Sequence, residues 1–215
     1  MNDPHRLGDG LAFAEHSPGA TPGSPWQPLE ARIGADSLRS RVDHIAAALR
    51  SPGREPVDLR TAASTEHFGL VARMIAAHIC ARALGISVSL TTADIWWQQP
   101  PGGLVQLSLT RSPQPRSPLD DSAIGDLAST IQQLFGVSPQ VLWGNVGSAA
   151  NSTLNLLRTA RPDLLDDARQ AADALLRDAR IDGGALHAGP GFRRRSCCLI
   201  YRAGTGMCGD CVLRP

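Results

Sequence analysis

The sequence predicts an α+β protein: a predominantly helical single domain with a small antiparallel β-hairpin or sheet and an irregular C-terminal segment. Three observations carry this. Several stretches repeat apolar residues at helical spacing between recognisable start and stop signals. Two short stretches flanking Pro100-Pro101-Gly102-Gly103 alternate with period two, as a half-buried strand does. Four of the five cysteines fall within the last 19 of the 215 residues, where neither period holds.

Residues 1–30 carry Pro4, Pro18, Pro22, Pro25 and Pro28 with little periodic hydrophobicity, and are expected to form a flexible arm. From Ser37 to Arg50, Leu38, Val42, Ile45 and Leu49 mark an amphipathic helix that Ser51-Pro52-Gly53 breaks. A longer helix runs from Leu59 or Ser64 to Leu84, with Leu70, Met74, Ala77 and Ala81 on one face and Gly85 as its stop. Ile86, Val88 and Leu90 alternate with serines and predict a strand. Ile95–Gln98 and Leu104–Thr110 predict a hairpin joined by the Pro-Pro-Gly-Gly turn.

Helical signals then return. Ser117 reads as an N-cap, with Pro118 in the first turn beside Asp120 and Asp121, followed by Ile124, Leu127, Ile131 and Leu134 up to Gly136. Ser138-Pro139 opens a further helix over Gln140–Arg158. Pro162 opens the last, which Gly183-Gly184 closes. The domain plan is therefore an arm at 1–30, a helical α+β body at 31–190 and a C-terminal segment at 191–215.

Composition narrows the function classes. Hydrophobic residues make up 42% and charged residues 19%, with a net charge of +1, which argues against wholesale disorder and against a polybasic nucleic-acid binder. The most apolar stretch, 69–90, is interrupted by Arg73, His78 and Arg82, so no membrane span is expected. The N-terminus lacks a basic region followed by an apolar one, and a cytoplasmic location is the expectation. In a reducing compartment, a tight cysteine group points to metal or redox chemistry before structural disulfides.

The C-terminal string contains Cys197-Cys198, then residues 199–207, then Cys208-Gly209-Asp210-Cys211. The C-x-x-C hook can turn two thiolates onto one metal. Neighbouring side chains on an extended strand face opposite ways, so Cys197 and Cys198 share a centre only where the backbone leaves strand geometry. Gly204 and Gly206 give the intervening chain freedom to double back. Four thiolates suit either a [2Fe–2S] cluster or a tetrahedral zinc ion, and the vicinal pair favours the binuclear cluster, which has more geometric freedom.

This string resembles the C-terminal signature of the FhuF-type ferric-siderophore reductases, a Cys-Cys pair followed by Cys-x-x-Cys that holds a [2Fe–2S] cluster. Trp143-Gly144-Asn145 resembles a second recurring element of that family. The resemblance is tight over about twenty residues, loose across 60–190 and absent from the arm. One departure stands out: the family's usual gap between pair and hook is ten residues, and here it is nine. The resemblance implies Cys197, Cys198, Cys208 and Cys211 as cofactor ligands. It also implies one-electron reduction of Fe(III) in a ferric siderophore, and an external electron donor such as a ferredoxin or flavoprotein reductase.

Charge is unevenly distributed. Residues 190–215 hold five arginines and one aspartate, net +4, whereas 1–189 hold sixteen arginines and nineteen acids, net −3. Basic groups beside a four-thiolate cluster favour its reduced form. Arg193, Arg194, Arg195 and Arg202 are candidate contacts for an anionic chelate, and Trp96, Trp97 or Trp143 for its carbon skeleton. Cys80 sits alone in an apolar helix and reads as a small buried hydrophobe. None of the six histidines has metal-ligand spacing, and no P-loop, G-x-S-x-G or H-E-x-x-H pattern is present. Two alternatives remain beside the reductase reading: a zinc-stabilised interaction module, and a [2Fe–2S] electron carrier or sensor.

Overall fold

The computed structural model describes residues 3–50, 56–112 and 118–214. Its elements are β1 (Ala14–His16), β2 (Gln27–Pro28), α1 (Leu29–Ile33), α2 (Ala35–Ala48), α3 (Leu59–Ala83), β3 (Ile95–Gln98), β4 (Gln106–Thr110), α4 (Ala123–Phe135), α5 (Pro139–Ala160) and α6 (Leu165–Leu176). The α+β, mainly helical expectation holds. The breaker Ser51-Pro52-Gly53 and the Ser117 cap lie outside the described residues.

Two helices organise the domain. In α3 the Asp58 carboxylate accepts the Arg60 backbone N–H at 3.0 Å, and Leu70, Met74, Ala77 and Ala81 are buried along the helix. In α5 Ser138 caps the backbone N–H of Val141 and Pro139 occupies the first turn, as the sequence signals. These two helices pack most extensively against each other, with α2, α4 and α6 around them. Each large aliphatic side chain buried between them contributes roughly 1.5–3 kcal/mol.

The sheet is mixed, in the order β1-β4-β3-β2. The expected hairpin pairs Ile95 with Leu109 and Trp97 with Leu107. What the alternation pattern does not reveal is β1, which runs parallel to β4 and pairs His16 with Thr110. The His16 ring bonds Ser108 and Thr110, both at 2.9 Å, and so fixes that register. Within the expected arm, the described residues 3–30 are thus docked instead of trailing: they supply β1 and β2, and Leu7, Leu11 and Phe13 enter the core. Ala14-Glu15-His16 has no β-branched residue, and its strand forms because the β4 edge is there to pair with.

Three further expectations shift. The Ile86–Leu90 alternation buries Ile86 and Leu90 but, among the described residues, pairs only at Val88, in a single bridge to Arg111. Helix α4 begins at Ala123, not Pro118, because Ser122 caps it while Asp120 turns away to meet Arg180 at 3.0 Å. Helix α6 stops at Leu176, short of Gly183, as the Asp178 carboxylate captures the Arg180 backbone N–H at 2.9 Å and diverts the chain.

Near the sheet, Arg32 of α1 is buried, donates to Glu66 of α3 at 2.9 Å and lies over the Trp97 ring at 4.6 Å. Arg41 of α2 reaches the same carboxylate at 2.7 Å. This ties three helices to β3. Along the chain the hydrophobic core runs from Leu7 to Ile181, with Phe192 packed on its edge; among the described residues no later side chain joins it.

Candidate metal centre

The C-terminal segment lies on one face of α5. Three polar side chains at a spacing of three residues receive it. Asn151 accepts the Gly189 backbone N–H at 2.9 Å, Asn145 accepts Arg194 Nη1 at 3.0 Å, and the Ser148 hydroxyl donates to the Asp210 carboxylate. Residues at i, i+3 and i+6 fall along one stripe of a helix. The string Asn145-x-x-Ser148-x-x-Asn151 among inner apolar positions is the signal by which sequence reasoning could have found this seat.

Gly144 explains its own place in the Trp143-Gly144-Asn145 element. A Cβ there would stand 1.8 Å from Ser196 Oγ and 3.1 Å from Ser196 Cβ, so only glycine lets the segment approach this closely. Helix α3 contributes from the other side. Asn145 Nδ2 donates to the Ser64 carbonyl and hydroxyl, each at 3.2 Å, and the Ser64 hydroxyl donates to the Cys198 carbonyl at 2.9 Å. The segment is therefore gripped by both central helices, through Asn145 of the Trp143-Gly144-Asn145 element and through Ser64, Ser148 and Asn151, which sequence reasoning did not single out.

At the centre is Arg194, only 2% exposed. Its Nη2 donates to Cys208 Sγ at 3.2 Å, Nη1 to Asn145, and Nε lies 3.8 Å from the Asp210 carboxylate. Burial opposes its charge, but Cys208 and Asp210 outweigh that and hold the guanidinium above its ordinary pKa. Arg194 is therefore buried and tied to the cysteine segment, and it also lines the cavity that opens beside Cys198 and Cys208. The neighbouring Arg193 and Arg195 are exposed, as is Arg202, which pairs with Asp58 at 3.8 Å.

The four cysteines leave strand geometry, as a vicinal pair with a common centre requires. Leu199 adopts a left-handed φ of 70°, unusual for a residue with a branched side chain. Cys198 Sγ and Cys208 Sγ stand 3.6 Å apart, close to the roughly 3.8 Å edge between two thiolates on one tetrahedral metal with bonds of about 2.3 Å. The other two thiols are matched in a different way: Cys197 Sγ accepts the Leu199 backbone N–H and Cys211 Sγ that of Leu213, both at 3.4 Å.

Burial pushes the Cys208 thiol up to about 12, against the pull of Arg194, and burial likewise raises Cys197. As free thiols they are therefore neutral. Cys197, Cys198, Cys208 and Cys211 would hold a metal as thiolates, and the buried Arg194 guanidinium and the backbone N–H groups of Leu199 and Leu213 would then donate to thiolate sulfur. Thiol donors of this kind suit an iron–sulfur cluster, and Cys198 and Cys208 already stand in contact. Among the described residues, no three His, Cys, Asp or Glu side chains converge as they would on one metal ion.

A cavity of about 370 Å³ opens beside Cys198 and Cys208, walled by Phe68, Ile200 and Met207 with Ser64, Thr65 and Ser152. None of Trp96, Trp97 and Trp143 lines it. Trp97 packs under Arg32, and Arg180 lies over the Trp143 ring at 4.6 Å. Cys80 is buried in α3, with its thiol pushed up to about 12 by burial, apart from the other four. No described helix is long and apolar enough to cross a membrane.

Residues 194–213 match the family model described as the FhuF 2Fe-2S C-terminal domain. The match begins at the buried arginine and ends two residues beyond the last cysteine. The cofactor is accordingly a [2Fe–2S] cluster. No curated protein matches the chain.

Proposed function

We propose that this protein is an iron–sulfur oxidoreductase that passes one electron to Fe(III) in a ferric siderophore and so releases Fe(II). The observation that carries the reading is the match of residues 194–213 to the FhuF 2Fe-2S domain, with all four cysteines of that segment within it. Cys197, Cys198, Cys208 and Cys211 would hold the cluster, which supplies a one-electron donor. Siderophore oxygens are hard ligands that hold Fe(III) much better than Fe(II), so one electron loosens the complex.

The chain's own residues set the conditions. Arg194 donates into Cys208 and offsets the negative charge that arrives on reduction. Ser64, Asn145 and Ser148 fix the segment to α3 and α5, which keeps the ligand geometry the same in both redox states. The cavity beside Cys198 and Cys208 is the approach route for the chelate. Arg193, Arg195 and Arg202 do not line it; as exposed cations they act at longer range on an anionic chelate.

The test is spectroscopic. Anaerobically purified protein is expected to be brown, to bleach on stoichiometric reduction, and to recover its colour when a ferric siderophore is added while a ferrous chelator traps Fe(II). A colourless protein that holds only zinc defeats the reading. Recovery no faster with ferric siderophores than with a generic one-electron acceptor points instead to a carrier or sensor.

A further inference from the structure

Four of the seven large apolar side chains exposed among the described residues, Tyr201, Met207, Val212 and Leu213, lie within thirteen residues of the cluster segment. Scattered surface apolar residues need no explanation, but concentration at a redox centre does. Val212 and Leu213 directly follow Cys211, and the Leu213 backbone N–H is bonded to the Cys211 sulfur. Two exposed guanidinium groups are tied to the same hook by its backbone: Arg193 Nε donates to the Cys211 carbonyl and Arg214 Nη2 to the Met207 carbonyl, both at 3.3 Å. The hook and the residues that flank it thus carry two apolar side chains, Val212 and Leu213, and two cations held by the main chain of Met207 and Cys211.

We infer that the surface formed by Val212, Leu213, Arg193 and Arg214 is the docking site for a small acidic one-electron carrier protein. This rests on the oxidoreductase reading above and adds the face on which the electron enters. An apolar centre edged by fixed positive charge is what an acidic partner with a complementary rim recognises. Charge complementarity selects the partner's sign: the segment carries net +4 on a chain whose remainder is net −3, and it stays positive at roughly +2 once the oxidised four-thiolate cluster's own charge of about −2 is counted, so an acidic protein is steered to this end of the molecule. The cavity beside Cys198 and Cys208 does not include these four residues, so the carrier leaves the chelate's route open. The electron balance is simple: the reduced carrier loses one electron and the cluster of this chain gains it, with no bond made or broken.

The experiment follows reduction of the holoprotein by a reduced, acidic [2Fe–2S] ferredoxin in a stopped-flow spectrometer. For the wild type the second-order rate constant is expected to fall at least tenfold between low and physiological-to-high ionic strength. Arg193→Glu with Arg214→Glu is expected to lower it at least tenfold at low salt, and Leu213→Ser several-fold. Arg39→Glu, one such reversal placed on α2, should leave it nearly unaltered, and a small uncharged photoreductant should reduce every variant alike. A rate that ignores salt, or reversed-charge holoprotein that accepts electrons at the wild-type rate, overturns the proposal. So does wild-type protein that binds anionic lipid vesicles through these residues while ferredoxin reduction stays indifferent to them. Should the charge-reversed protein lose its cluster, the wild-type salt dependence and Leu213→Ser decide. Charge-dependent reduction by the ferredoxin without re-oxidation by ferric siderophores leaves the docking site standing and removes the reductase reading; the converse result does the opposite.

Discussion

Replacing Arg194 by Gln removes a buried cation whose nearest nitrogen to Cys208 Sγ is 3.2 Å away. The side chain is two per cent exposed, so solvent screens little of its field. Taking the charge to act over about 5 Å at an effective dielectric near 20, its attraction for one added electron is roughly 3 kcal/mol. At about 1.4 kcal/mol per 59 mV for a one-electron couple, that corresponds to a fall in midpoint potential of about 130 mV. The Asp210 carboxylate, 3.8 Å from Arg194 Nε, then loses its cation and pushes the potential the same way. Redox titration of the holoprotein, followed by the electron paramagnetic resonance signal of the reduced cluster, reads the shift directly. Arg194→Lys restores charge without the planar fork and should recover much of the potential while bonding Asn145 and Cys208 less well. A Gln variant that keeps its cluster with a potential within about 20 mV of wild type, or above it, would refute this electrostatic role.

Other expected outcomes follow from the same geometry. Gly144→Ala should destabilise the folded protein by about 1–3 kcal/mol in chemical denaturation, and adding Ser196→Ala, which removes the 1.8 Å contact, should restore part of that; an unchanged midpoint for the single variant counts against the close approach. Cys198→Ser and Cys211→Ser should each lose the visible spectrum and Cys80→Ser should retain it, as its thiol sits apart in α3; bleaching by the Cys80 change overturns the ligand assignment. His67 is fully buried, with desolvation pulling its pKa down to about 3, so on acidification the unfolded chain takes up a proton near its ordinary value while the folded chain does not. Stability is therefore full above about pH 6.5 and falls by up to roughly 1.4 kcal/mol per pH unit below it, and His67→Gln should flatten that slope in apoprotein denaturation at pH 4–7.

The sequence spells out some parts of this molecule and hides others for physical reasons. Capped, periodic helices announce themselves, as Ser138-Pro139 and the Leu70–Ala81 face do, because their stability signals are local. β1 stays hidden, since its pairing with β4 depends on residues more than ninety positions away, and nothing in Ala14-Glu15-His16 favours a strand by itself. At the metal centre the four cysteines stand out in the chain, whereas Ser64 and Asp210 do not. A serine in a long apolar helix has no visible partner until Cys198 is folded against it at 2.9 Å. Arg194 reads as one of three adjacent surface cations, and only tertiary packing separates it from Arg193 and Arg195 by turning it inward.

Among the described residues, no side chain beyond Phe192 joins the main hydrophobic core, and of the later apolar residues Ala203 and Cys211 are buried apart from it. The cluster-bearing stretch is accordingly held by hydrogen bonds to a body that stands without it, the reverse of a zinc finger, where loss of the metal is loss of the fold. Loss of the cluster is therefore expected to leave Ser64, Asn145, Ser148 and Asn151 in position on the helices that carry them.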